Sequence, residues 1–177
     1  MLRLPALLLV SLFLAAQPAQ ALVIDLTADI EGGQEVPPTD SLAFGTGVFE
    51  YDDETNELTW TVLFTAALFE TNEIGAHIHG PAGPGENADI LVDLGTGQLK
   101  QGMTDLDSVG ACSGDPEACE SDLLAGLWYV NIHSTEHENG EIRGQILPAT
   151  AVPEPAAALS LLLAAGAGAL RMRRRSA

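Results

Sequence analysis

Four histidines supply the residue types and spacing in this 177-residue sequence that could do metal chemistry. His77 and His79 stand two apart in Ile74-Gly75-Ala76-His77-Ile78-His79, a stretch that reads as a strand. Alternate residues of a strand leave opposite faces, so both imidazoles project from one face while Ile74, Ala76 and Ile78 take the other. In Trp128-Tyr129-Val130-Asn131-Ile132-His133, the apolar set Trp128, Val130 and Ile132 likewise opposes Tyr129, Asn131 and His133. If these strands share a sheet, three imidazoles gather on one surface outside the main core, and His137, four residues on in a loop, is placed to reach over as a fourth. Neutral imidazoles suit copper, zinc or nickel. The alternative is structural: the same rings bond loop carbonyls and hold the hairpins in place.

The remaining chemistry is sparse. Cys112 and Cys119 flank a short loop rich in Gly, Asp and Pro. In an oxidising compartment they are expected to form a disulfide, stabilising by ~2 to 3 kcal/mol through restriction of the unfolded chain. Two thiolates alone make a poor zinc site. Arg143 is nearly alone among acids and is expected to form a structural ion pair, with Glu35 or Glu141 as partner. No Gly-rich phosphate loop and no Gly-x-Ser-x-Gly elbow is present, so no catalytic residue is assigned. The run Asp52-Asp53-Glu54-Thr55-Asn56 lacks calcium-loop spacing and reads as a solvated turn. The chain carries 7 bases and 25 acids. Between Leu22 and Ala151 only the bases Lys100 and Arg143 remain, against every acid but Glu154, a net charge of −22. Such a surface disfavours nucleic acid and anionic lipid and favours small cations.

These residues must be positioned by strands. Leu22, Ile24, Leu26, Ala28 and Ile30 alternate with Val23, Asp25, Thr27 and Asp29. The period of two returns over Leu42 to Tyr51 and in Leu58, Trp60, Val62 and Phe64, the two joined as a hairpin by the acidic turn. Further strands are expected at Ile74 to His79, Asp89 to Leu94, Leu99 to Leu106, Leu127 to His133 and Glu141 to Leu147. A single helical turn or two is expected from Ser121, as N-cap, to Ala125, with Gly126 as the stop. A faint repeat relates Ala76-His77-Ile78-His79-Gly80 and its following strand to Val130-Asn131-Ile132-His133-Ser134 and its own, matching His79 to His133 and His77 to Asn131. About eight short strands separated by turn residues predict an all-β, antiparallel Greek-key sandwich or barrel, immunoglobulin-like or superoxide-dismutase-like.

Both ends read as sorting signals. Residues 1–21 combine Arg3, an apolar run from Leu4 to Ala16 and the small-residue end Ala19-Gln20-Ala21, the pattern of a secretory signal peptide acted on by the secretion machinery. Residues 152–177 combine Val152-Pro153-Glu154-Pro155, an uncharged stretch from Ala156 to Leu170, and Arg171-Met172-Arg173-Arg174-Arg175. As a helix that stretch is roughly 22 Å long, short of the ~30 Å hydrocarbon core, so it crosses only with snorkelling or thinning. The arrangement resembles the PEP-CTERM sorting signal. That resemblance implies recognition of Pro153, Glu154 and Pro155 by an exosortase, a transient inner-membrane-anchored stage, and delivery to the cell surface or an extracellular matrix, where exopolysaccharide or other surface proteins become partners.

Between the ends, Gly33-Gln34-Glu35-Val36-Pro37-Pro38, Ala43-Phe44-Gly45-Thr46-Gly47, His77-Ile78-His79-Gly80-Pro81-Ala82-Gly83, Ala125 to His133 and Gly140-Glu141-Ile142-Arg143-Gly144-Gln145-Ile146 resemble the CHRD domain. The similarity spans about Leu22 to Leu147, within a domain taken as residues 22–151, and departs at Glu86-Asn87-Ala88-Asp89. It implies an extracellular all-β domain. The His-x-His strand is also similar, more distantly, to copper-zinc superoxide dismutases, although four histidines cannot supply the six of a two-metal site. Two functions are therefore expected in order: an exported, non-enzymatic binding or structural module, then a copper or zinc protein with superoxide-dismutase-like redox chemistry.

Overall fold

A computed structural model describes residues 22–65 and 72–149. The expected signal peptide, residues 1–21, and the expected sorting signal, residues 152–177, lie outside the described residues.

The alternating segments form antiparallel strands: β1 (Val23–Glu31), β2 (Phe44–Asp52), β3 (Glu57–Phe64), β4 (Glu73–His79), β5 (Ile90–Asp93), β6 (Leu99–Asp105), β7 (Tyr129–Ser134), β8 (Ile142–Gln145) and β9 (Leu147–Pro148). They pair in the order β5-β4-β7-β8-β1-β2-β3-β6, with β9 also on β1, giving one sheet that curls into a half-barrel. Its concave face holds the core. Leu26, Ala28 and Ile30 of β1 meet Phe49 and Tyr51 of β2, Leu58, Trp60 and Val62 of β3, Ala76 and Ile78 of β4, and Val130 and Ile132 of β7. The period of two explains the selection: burying one face of β1 carries Leu26, Ala28 and Ile30 inward and leaves Val23, Asp25, Thr27, Asp29 and Glu31 exposed. Across the opening, Lys100 of β6 reaches Glu73 at the head of β4, with Nζ 2.5 Å from Oε1 and 2.6 Å from the Gly97 carbonyl.

This buried ion pair ties two strands that are not neighbours in the sheet. Among the described residues, removing the ammonium leaves Glu73 with only the Gly97 N–H as donor. Lys100→Met is therefore expected to lower unfolding free energy by about 2 kcal/mol, less than for a fully buried pair because Glu73 retains some solvent. Urea unfolding of the parent and the variant measures it, and an unchanged midpoint would remove the pair from the account.

The helix departs from expectation. It runs Pro116–Leu124 and is capped by Asp115, whose carboxylate accepts from the Ala118 N–H at 3.1 Å, rather than by Ser121. Proline suits the first turn of a helix, where its missing N–H has no partner to lose, so Pro116 starts the element that its loop-like neighbourhood concealed. Gly126 ends it at φ +74°, as expected. The Cys112–Cys119 disulfide is formed, and it fastens the helix to the preceding turn. At the C-terminal end, the strand expected over Glu141 to Leu147 is split into β8 and β9.

Candidate metal centre

β7 and β8 are buried on both faces. The inner face joins the core; the outer face of β4, β7 and β8 carries a polar layer roofed by loops. The Gly32–Ala43 loop attaches where Thr39 Oγ1 donates to the Glu141 carbonyl and Ser41 Oγ to Glu141 Oε1. The Gly80–Asp89 loop attaches through Arg143, Gln145 and Tyr129. Residues arrive there by register: His77 faces Asn131, which faces Arg143, and in the next row His79 faces Tyr129, which faces Gln145. His133 pairs with Gly75, diagonal to His77. The imidazoles expected on one surface do share a face, but His79 and His133 are buried beneath the loops and His77 is half-buried.

Hydrogen bonding fixes the tautomers. A carbonyl only accepts, so His79 Nδ1, 2.9 Å from the Ala88 oxygen, must carry its proton, as must His133 Nδ1, 3.0 Å from the Glu138 oxygen. The Nε2 atoms of both neutral rings then bear lone pairs. His133 Nε2 accepts from His77 Nδ1 at 3.0 Å, whereas His79 Nε2 is buried with no hydrogen-bond partner. One nitrogen from each ring lies within 4.8 Å of the other two. A three-coordinate ion at ~2.0 Å from each nitrogen needs separations of about 3.5 Å, so ring rotations that draw the triangle in by at most ~1.3 Å would complete such a site. Carbonyl bonds to the far nitrogens are the outer-shell contacts that orient metal-binding imidazoles.

The electrostatics keep these rings neutral. Burial lowers His79 to about 4, against the raising effect of the Ala88 carbonyl and with help from His133, His77 and Arg143. Burial likewise lowers His77, opposed by Asp93, and lowers His133, opposed by the Glu138 carbonyl. Tyr129 stacks on His79 with centroids 5.1 Å apart and planes 7° from parallel. On Tyr129 in turn lies the Arg143 guanidinium, its carbon 3.4 Å from the ring centre.

Other expected site residues fall differently. His137 is outside the triad; its backbone closes the β7–β8 connection, and it lines a separate cleft with Glu35, Thr39, Glu138 and Gly140. Arg143 forms no ion pair with Glu35 or Glu141. Its guanidinium donates to the carbonyls of Glu86 and Gly83, to Asn87 Oδ1 and to Gln145 Oε1. Glu141 instead accepts from Ser41, and Glu35 acts on Arg143 only through space. Glu35 Oε1 is buried without a partner, and burial raises this carboxyl to about 7 against the lowering effects of Arg143 and the Val36 N–H. Sequence reasoning missed Tyr129, Asn131 and Gln145 as site residues, although their alternation with His133 and Arg143 carried the signal.

An antiparallel half-barrel with a roofed polar layer beside its core defines the class: an all-β domain whose external face is a second, hydrophilic interior. The CHRD domain family model matches residues 26–146, and the chain belongs to that family. Membership points to an extracellular or secreted β-domain. No curated protein and no solved structure matches the chain. No helix among the described residues is long and apolar enough to cross a membrane.

Proposed function

We propose that the protein is an exported, non-enzymatic CHRD module that binds copper or zinc through His77, His79 and His133. One observation carries the reading: three neutral imidazoles converge, with the His79 Nε2 lone pair buried and unpartnered. An unsatisfied buried acceptor costs free energy that a bound cation recovers. The structural alternative is not exclusive of it, since the bonds to Ala88 and Glu138 hold the loops and orient the ligands at once. The neighbouring positions of β1 and β8, near the two ends of the described chain, favour a Greek-key barrel of the superoxide-dismutase-like kind, and redox chemistry at copper is the secondary reading.

The test is one equivalent of copper or zinc added to the metal-free purified full chain, beside a variant carrying His77→Ala and His79→Ala. Loss of two of three nitrogens is expected to weaken binding at least about 100-fold. Equal, weak binding by both proteins would end the reading. Delivery through the tail belongs to the same proposal: Pro153→Ala with Glu154→Ala is expected to leave unprocessed protein in the inner membrane, and unchanged size and location would count against exosortase recognition.

A further inference from the structure

We infer that the triad is built for a monovalent cuprous ion in preference to divalent copper or zinc, and that Arg143 sets this preference. The inference rests on the metal-binding reading above and narrows it.

The donor set is the first reason. Among the described residues no carboxylate or thiolate joins His77, His79 and His133 in the group of converging ligand atoms. Three imidazoles bring no negative charge, so a bound ion keeps its full charge in a largely buried place. A closed-shell cuprous ion is satisfied by three nitrogens, whereas divalent zinc and copper take four or more ligands and gain from anionic ones. Desolvation acts in the same direction, because its cost rises steeply with charge.

The second reason is a fixed cation. Arg143 is 1 % exposed, and all four of its hydrogen-bond acceptors are uncharged oxygens. In a chain of net charge −18, this buried guanidinium has no carboxylate bonded to it. It lies 3.4 Å from the centre of Tyr129, which lies 5.1 Å from the centre of His79, so the charge is at most 8.5 Å from a ligand ring. At ~10 Å and an effective dielectric of ~20, one additional unit of charge on the metal is disfavoured roughly ten-fold. The other charged groups do not cancel this. Asp93, paired with His77 across β4 and β5, is exposed and therefore screened. Glu35 acts on Arg143 only through space, and the side chains whose charge acts on His79, namely His133, His77 and Arg143, include no anion.

Asn87 offers a clean test because it is exposed and its Oδ1 already accepts from Arg143 at 3.2 Å. Asn87→Asp places a carboxylate on the guanidinium while keeping that bond but loses the Nδ2 bond to the Val36 carbonyl; Asn87→Ala loses both bonds and adds no charge, and so controls for the lost Val36 contact. Cuprous affinity of the metal-free full chain is read anaerobically by competition with bathocuproine disulfonate, and zinc affinity by competition with a chromogenic chelator. The parent is expected to bind the cuprous ion the more tightly, Asn87→Asp to lower the cuprous-to-zinc affinity ratio about five-fold, since contact with the buried guanidinium offsets only part of the screening of an exposed carboxylate, and Asn87→Ala to leave it within about two-fold. Tighter zinc binding by the parent, or a ratio unmoved by Asn87→Asp, would overturn the cuprous assignment while leaving a metal site. Binding of neither ion would overturn the site itself.

Discussion

At pH 8 the Glu35→Gln variant is expected to be more stable than the parent by about 3 kcal/mol, and at pH 4 the two should agree within about 0.5 kcal/mol. Glu35 belongs to the loop of residues 32–43 and is 4 % exposed, with Oε1 lacking a partner. Its carboxyl rises from an ordinary 4.5 to about 7 in the folded protein, chiefly through burial. The folded state therefore binds this proton more tightly than the unfolded state. The stability it contributes is complete below pH 4.5 and is lost as pH climbs through 7. Glutamine keeps the shape and carries no charge, so it escapes the loss. Urea unfolding at pH 4, 6 and 8 reads the divergence; a constant difference at all three values would show that folding does not raise the Glu35 carboxyl.

His79 is expected to act with the opposite sign. Its folded value of about 4 lies below the ordinary 6.5, so the unfolded state binds the proton more tightly. The contribution is complete above pH 6.5 and lost as pH falls toward 4, a difference of about 3 kcal/mol. His79→Phe retains the stacking surface for Tyr129 and removes the titration. Between pH 7.5 and pH 4 the variant should lose about 3 kcal/mol less than the parent. Burial lowers His77 and His133 in the same direction. Because the Glu35 slope opposes the histidine slopes between pH 4.5 and 6.5, the parent should look flatter there than Glu35→Gln. An identical acid slope in His79→Phe would mean that folding leaves the proton affinity of this ring unchanged.

The strands were legible in the sequence because one face of each is buried in an apolar core, and burial of that kind writes a period of two. Leu58, Trp60, Val62 and Phe64 were placed inward on that basis and are buried. The same logic put His77, His79 and His133 on one face, where they lie. Less legible was the roof over that face. Loops leave no periodic trace, so the sequence could not show that Ala88 and Glu138 supply the carbonyls that fix the imidazole tautomers. For Arg143, charge alone favoured a carboxylate partner. Its actual acceptors, the Gly83 and Glu86 carbonyls and the Asn87 and Gln145 amides, belong to groups present in nearly every segment and thus carry no distinguishing signal. The helix start was hidden for a related reason: Pro116 is helix-compatible only once Asp115 caps the first turn, and in isolation both read as loop residues.

X-ray absorption at the copper edge of the full chain, loaded with one equivalent of cuprous ion, tests the histidine centre most directly. The account predicts three nearest nitrogen scatterers at ~2.0 Å with the multiple-scattering pattern of imidazole, falling to two in His79→Ala. A first shell of oxygens without imidazole scattering, or one unchanged by His79→Ala, would contradict it.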